Sequence, residues 1–357
     1  MRLIFAASDF VLSGRPYPDE VVFATVSASP VNDPLPQQSL LVVTATSKPR
    51  VPKMKDLATL KKLVRADSLT PIVDRDGTIV YEANTHLGTR FVKATTNRAA
   101  FDRHCEILEE LESSSLAPKI LDKLNWGDYY VVVLSSISGK RLDHTLKNSK
   151  REEKLRLVSS AGSALGQLHR AISPSRLLEM KFWQQRDGVA ERAVEWNAHL
   201  EEMVSKWTSR LNKDAADYQI YDPHLNQLLQ LRADLREPAN LQLLHCDYIG
   251  RNILVTENEL VSGILDFEVA RIGDAVYDLA KFVWVDLDFS DEELRNAFLS
   301  GWEGAYGEQI PRREFLYYVG IQCLAAIAWT DKNKPLDGAI AFRSAAIQTL
   351  RTVTHLL

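Results

Sequence analysis

The stretch "LLHCDYIGRNILV", residues 243–255, sets a polar block between two apolar runs. The block carries His245, Asp247, Arg251 and Asn252 beside Gly250. H-x-D-x-x-x-x-N is the spacing of a phosphotransferase catalytic loop. The residue types suit that chemistry. Asp247 can accept a proton from a hydroxyl nucleophile, or orient it. The amide oxygen of Asn252 is a hard ligand for Mg²⁺, and Arg251 can neutralise phosphate charge. Chance would match three fixed positions in a chain of 357 residues with odds on the order of one in a hundred, from residue frequencies alone. A capped turn between two strands would use the same residues without chemistry, so the rest of the chain has to decide.

Two further elements favour chemistry. "GILDFE" places Asp266 just after an apolar run of strand character. With Asn252 it would complete a two-ligand Mg²⁺ site that keeps room for waters and nucleotide phosphates; alone, an Asp there reads as a turn cap. Upstream, Lys93 is central in the strand "RFVKAT". A lysine inside a sheet is costly unless its head finds water or a partner. Glu106, on the helix that follows, is the candidate partner, in the pairing that holds a lysine against nucleotide phosphates. The plain alternative is a snorkelling edge lysine and an unrelated surface glutamate.

The elements around these residues supply a scaffold. "LTPIV", "IVYEANTH" and "TRFVKAT" read as a β-meander whose turns use Gly77 and Gly88. "NRAAFDRHCEILEELESS" is an amphipathic helix with Phe101, Cys105, Leu108 and Leu111 on one stripe. "YYVVVLSSISG" is an apolar strand running into a polar linker. After Gly139 the pattern turns helical, beginning with a long amphipathic helix that Pro174 ends. Residues 1–53 differ: β-branched runs with five interspersed prolines, from Pro30 to Pro52, read as a β-rich extension. The expected division is an extension at 1–53, a nucleotide-binding lobe at 54–138 and a helical lobe at 139–357. The fold class is α+β.

Composition narrows the class. The chain is 45% hydrophobic and 25% charged, an ordinary globular balance, and its formal net charge of −4 offers no electrostatic case for nucleic acid. Three scattered cysteines form neither a disulfide framework nor a metal cluster. No secretory signal or spanning run is visible, so a cytoplasmic protein without a membrane partner is expected.

Together "HCDYIGRNIL", "GILDFEVARIGDAVYDLA", the Lys93 strand with the Glu106 helix, and "GSALGQLHRA" resemble the aminoglycoside phosphotransferase and choline kinase-like superfamily. The resemblance runs over roughly residues 67–357 in element order. It implies a two-lobed protein-kinase-like fold, with a small antiparallel-sheet N-lobe and a mainly helical C-lobe. It also implies ATP or GTP as co-substrate, Mg²⁺, and a small-molecule hydroxyl acceptor. By the same resemblance Asp247 is the catalytic aspartate, Asn252 and Asp266 are metal ligands, and Lys93 binds phosphate. Asp278 supports the catalytic loop, His245 shapes it, and residues 134–139, including Leu134 and Ser136, form the hinge that meets the base. The glycine-rich phosphate loop is thin: "DRDGT" has only Gly77, and Asp74 and Asp76 must point away from phosphates. "DFE" stands where a protein kinase has D-F-G.

Acidic residues at Glu268, Asp286, Asp288, Asp291 and Glu292 are candidates for attracting a cationic acceptor. A solvated helix start at "DLDFSDEE" explains the last of them equally well. Two other function classes fit less: a pseudokinase acting as a regulatory module, which the intact Asp247, Asn252 and Asp266 oppose, and a metal hydrolase, which lacks histidines at ligand spacing. The extension also offers strand edges to a second copy of the chain, and so a homodimer contact.

Overall fold

The computed structural model describes residues 54–75, 77–181, 192–235, 241–332 and 339–357. The extension at 1–53, and with it the expected homodimer contact, lies outside the described residues. Helix α1 (Met54–Leu63) precedes a five-stranded sheet of β1 (Ser68–Arg75), β2 (Thr78–Thr85), β3 (Gly88–Thr95), β4 (Ile120–Trp126) and β5 (Tyr129–Ser135). The spatial order is β1-β2-β3-β5-β4, with every pair antiparallel. Between β3 and β4 runs helix α2 (Arg98–Glu110), capped by Asn97, whose side chain accepts from Ala100 N.

The alternation of β5 sorts two cores. Val131 and Val133 face one side with Leu60, Val64, Ile79, Tyr81 and Val92. Val132 and Leu134 face the other, where Cys105 and Leu108 of α2, with Leu111 at its C-cap, join the large core of the helical region. Side chains of one strand alternate between faces, so Lys93, between Val92 and Ala94, points toward α2 and the segment after β9. The helical stripe read from the sequence is therefore the face that ties the sheet to the rest.

Residues 136–139 lead to β6 (Lys140–Arg141), which pairs with β8 (Ile253–Val255), itself paired with β9 (Val261–Ile264). Strands β7 (Gln242–Leu244) and β10 (Arg271–Gly273) form a second short pair. Around them lie α3 (Leu142–Asn148), α4 (Arg151–Ala171), α5 (Pro174–Leu177), α6 (Arg192–Thr208), α7 (Tyr218–Leu231), α8 (Val276–Asp286), α9 (Glu292–Tyr306), α10 (Arg312–Lys332) and α11 (Ala339–Leu356). Pro174 does not end α4. The helix stops at Ala171, and Pro174 opens α5, where its missing N–H costs nothing and Ser173 caps the turn.

Helices α4 and α9 touch backbone to backbone. A Cβ on Gly162 would fall 2.0 Å from the Phe298 carbonyl oxygen, and one on Gly301 would fall 2.2 Å from that of Ser159. This contact brings His169 of α4 beside Trp302 of α9. Helix α10 is buried on all sides from Glu314 to Ala328. Among the described residues no helix is long and apolar enough to cross a membrane.

Candidate active site

The loop between β7 and β8 is held from beneath by Asp278, fully buried in the first turn of α8. Its Oδ2 accepts the His245 N–H at 2.6 Å and its Oδ1 the Cys246 N–H at 2.8 Å. A buried carboxylate needs such donors, and two backbone N–H groups supply them. Trp302 Nε1 donates to His169 Nδ1 at 3.1 Å, and His169 Nε2 lies 3.3 Å from Asp278 Oδ2. Indole N–H only donates, so Nδ1 accepts and the ring proton sits on Nε2, directed at Asp278. Cys246 is thereby kept at φ +61°, a left-handed conformation that a non-glycine residue adopts only when its surroundings impose it.

His245 is a strut rather than an acid or base. Its Nε2 lies 2.8 Å from the Leu265 carbonyl oxygen, which can only accept. Nε2 therefore carries the proton, and Nδ1 accepts the Asp247 N–H at 3.3 Å. The loop is thus tied to the strand end that carries Asp266. A second tie runs from Leu265 N to the Asn252 carbonyl oxygen at 2.8 Å.

Asp247 is gripped at its Oδ2 by Arg251 Nη2 at 2.6 Å and Asn252 Nδ2 at 3.0 Å. Asn252 Nδ2 also donates to the Asp247 carbonyl oxygen at 2.9 Å. These bonds orient the amide with its nitrogen toward Asp247. Arg251 serves here as a carboxylate partner.

Asp266 sits at φ +72° beyond β9. Lys93 Nζ reaches its Oδ1 at 2.5 Å and Glu268 Oε2 at 2.6 Å. Burial alone would lower the Lys93 pKa, but Asp266 and Glu268 outweigh it and hold the ammonium above the ordinary lysine value. Burial pushes Asp266 up, yet Lys93 brings it down to about 2. Glu268 is raised, by burial first and by its neighbour Asp266. His104, on α2, accepts the Phe267 N–H at its Nδ1. Burial and then Lys93 lower it to about 3, so it stays neutral.

Several expectations are corrected. Glu106 does not meet Lys93; it accepts the Lys181 N–H at 2.6 Å. A helix turns about 100° per residue, so residues two apart face nearly opposite ways, and His104 takes the inward side. Glu268, expected to attract an acceptor, turns to Lys93. Asp286 accepts the Gly250 N–H at 2.9 Å, bracing the catalytic loop. A Cβ on Gly250 would lie 2.7 Å from Asp286 Oδ1, so only glycine allows this approach. Asp288 is exposed and closes a turn by accepting from Ser290 N and Oγ. Asp291 caps α9 through Leu294 N and pairs with Arg151, and Glu292 lies in the first turn of that helix. The acidic run is a helix start, because α9 needs its first N–H groups satisfied.

Leu134 lies within β5, paired with Phe91 on one side and Ile120 on the other. Ser136 is the first exposed residue beyond the strand. Gly77 makes the β1–β2 turn at φ +77°, with its carbonyl accepting the Thr96 N–H at 3.0 Å. Asp74 pairs across the strands with Ile79, whose face of the sheet is opposite to that of Lys93. Asp74 thus lies on the face away from Lys93, while Asp76 lies outside the described residues.

No local sequence pattern marks Arg103, His104, His169 or Trp302 as site residues. "GSALGQLHRA" does contain His169, but only the fold reveals its partner.

The state of Asp286 is testable. Burial raises it to about 7; Asp143 and Asp247 add to this, and the Gly250 N–H and Arg251 oppose it. A carboxyl whose folded pKa exceeds its unfolded value near 4 favours the protonated fold, so stability falls as pH rises from about 4 to about 7. Asp286→Asn keeps an acceptor for Gly250 and removes the charge. Its melting temperature is expected to gain on wild type between pH 5 and pH 8. A constant difference across that range contradicts the assignment.

The comparisons with known proteins agree with this fold. The pattern of the phosphotransferase enzyme family (APH) matches residues 87–316. No curated protein matches the chain. Among solved structures, spectinomycin phosphotransferase APH(9)-Ia in complex with ADP and spectinomycin superposes with a TM-score of 0.60 at 14% identity, over 84% of this chain and 98% of that one. A thermostable mutant of aminoglycoside phosphotransferase APH(4)-Ia, with ADP and hygromycin B, gives 0.59 at 14% identity over 84% and 97%. The gentamicin complex of APH(2")-IIa gives 0.58 at 16% identity over 84% and 97%. At such identities the superpositions speak for the fold: a sheet-based N-lobe on a helical C-lobe, as the resemblance implied. The family pattern spans more than half of the chain and contains Lys93, the catalytic loop, Asp266 and Asp278, so the chain belongs to the phosphotransferase enzyme family.

Proposed function

We propose that this protein is a small-molecule kinase that transfers the γ-phosphate of ATP or GTP to a hydroxyl of a small acceptor. The observation that carries this reading is the convergence of Asp247, Asn252, Asp266 and Lys93, cross-tied by His245 and Asp278. Asn252 and Asp266 offer two hard oxygen donors, a set that suits Mg²⁺, which completes its shell from waters and phosphates rather than from an all-protein cage. Mg²⁺, when bound, would neutralise triphosphate charge. Lys93 would hold phosphate oxygens, the backbone from Ser136 onward would meet the base, and Asp247 would orient the acceptor hydroxyl toward the γ-phosphorus. Most of the rate would come from positioning and electrostatics.

The nucleotide reading is supported by the ADP in two of the superposed complexes, and the small acceptor by their spectinomycin and hygromycin B. A cationic acceptor has no support from Asp286 or Asp288, which serve the loop and a turn. The same reading divides the chain into a nucleotide lobe at 54–138 and an acceptor lobe at 139–357. The test is a thermal-shift screen of ATP and GTP with and without Mg²⁺, followed by transfer of labelled γ-phosphate to a panel of hydroxylated amines and sugars. Bound ligand raises the melting temperature by mass action. Mg²⁺-dependent stabilisation and labelled product are expected; a folded protein indifferent to both nucleotides contradicts the proposal and favours a pseudokinase.

A further inference from the structure

We infer that Glu268, and not the helix carboxylate Glu106, is the residue that positions Lys93 against the nucleotide phosphates, while Arg103 and His104 of α2 hold the backbone from which Glu268 projects. The inference rests on the kinase reading above and deepens it.

Lys93 is nearly buried in the sheet, so its ammonium must end among partners. It ends between Asp266 and Glu268. Asp266 is also the carboxylate placed to hold a metal, so its charge is shared. Glu268 is then the partner left to fix the lysine head. Its backbone is anchored from α2 twice: Arg103 Nη1 donates to the Glu268 carbonyl oxygen at 2.6 Å, and His104 Nδ1 accepts the Phe267 N–H at 3.2 Å.

Glu106 cannot share this task without a large motion. His104 occupies the inward face of α2, and Glu106 is bonded to Lys181 N on nearly the opposite face. The void bounded by Lys93, Thr95, Phe101, His104 and Glu268 is about 10 Å³, room for about one water and not for another carboxylate. In the protein-kinase pattern the lysine's partner rides on a helix, and moving that helix breaks the pair. Here the lysine's partner and a metal ligand belong to one segment, residues 266–268. Helix α2 acts on that segment as a clamp, through Arg103 and His104. Lysine and metal ligand are therefore aligned together, and the lysine pair does not depend on the helix's own carboxylate.

The test compares wild type, Glu268→Gln and Glu106→Gln. The first readout needs no nucleotide: the rate at which acetic anhydride acylates Lys93, followed by peptide mass spectrometry. Removing one of its two carboxylate partners loosens the lysine head from the 266–268 segment and opens it to reagent. Glu268→Gln is expected to speed Lys93 acylation by about tenfold, since one of the two charge-assisted bonds that hold the amine is gone. Glu106→Gln should leave it unchanged. The second readout is ATP affinity with and without Mg²⁺, by calorimetry. Glu268→Gln should keep the Mg²⁺ dependence of wild type, whereas a metal ligand would lose it. Acylation that responds to Glu106→Gln and not to Glu268→Gln overturns the inference, as does loss of the Mg²⁺ dependence in Glu268→Gln. Wild type that binds no ATP with Mg²⁺ contradicts the kinase reading instead, and the acylation comparison still decides the pairing.

Discussion

Asp247→Ala should lower turnover by roughly a hundredfold or more, the scale of losing a general base, with little change in nucleotide affinity. The expectation follows from what touches this carboxylate. Arg251 and Asn252 both grip its Oδ2, and the backbone beneath it is fixed by His245. Removing the side chain takes one partner from Arg251 and one of two acceptors from the Asn252 amide, whose bond to the residue 247 carbonyl stays, and leaves Lys93 and Asp266 in place. Steady-state kinetics alongside calorimetric nucleotide binding checks the split. Turnover like wild type in a folded Asp247→Ala protein would remove this residue from the mechanism.

The second large effect is at Asp278. Truncation to alanine strips two buried N–H groups and the His169 ring of their acceptor. Leaving such groups unpaired in a buried site costs about 3–5 kcal/mol, much of a domain's total stability of roughly 5–15 kcal/mol. Cys246 would lose the bond that keeps it at positive φ. Asp278→Ala is therefore expected to unfold at much lower urea and, where still folded, to lose turnover because the loop relaxes. Asp278→Asn should be milder, since the amide oxygen still accepts one N–H. An alanine variant with unchanged denaturation midpoint and activity contradicts the support role.

What the sequence reveals is what depends on local spacing. Asp247, Asn252 and Asp266 sit at fixed offsets in short strand-and-loop segments, so their convergence is legible from the chain alone. Lys93 stands out because a lysine between Val92 and Ala94 interrupts an apolar strand. Its partner is not legible in the same way. Glu106 and His104 are equally plausible by distance along the chain, and only the rotation of α2 on the core separates them. The acids at 286 and 288 look alike in sequence; one is drawn under the loop by Gly250 and the other caps a turn. The Trp302–His169–Asp278 chain joins residues on three helices, and no local pattern connects them. The pairing of Glu268 with Lys93 is of the same kind, since it spans strand β3 and the segment after β9.

The most direct test of the central claim is calorimetric titration of ATP, with and without Mg²⁺, into wild type and Asp266→Ala. In the proposed kinase reading Asp266 is the charged metal ligand beside Asn252, with Lys93 as its neighbour. Wild type should bind ATP more tightly when Mg²⁺ is present, and Asp266→Ala should lose that gain while remaining folded by circular dichroism. A folded Asp266→Ala protein with the same Mg²⁺-dependent affinity as wild type would mean that this carboxylate holds no metal, and that the loop, the strand end and Lys93 do not form the site described.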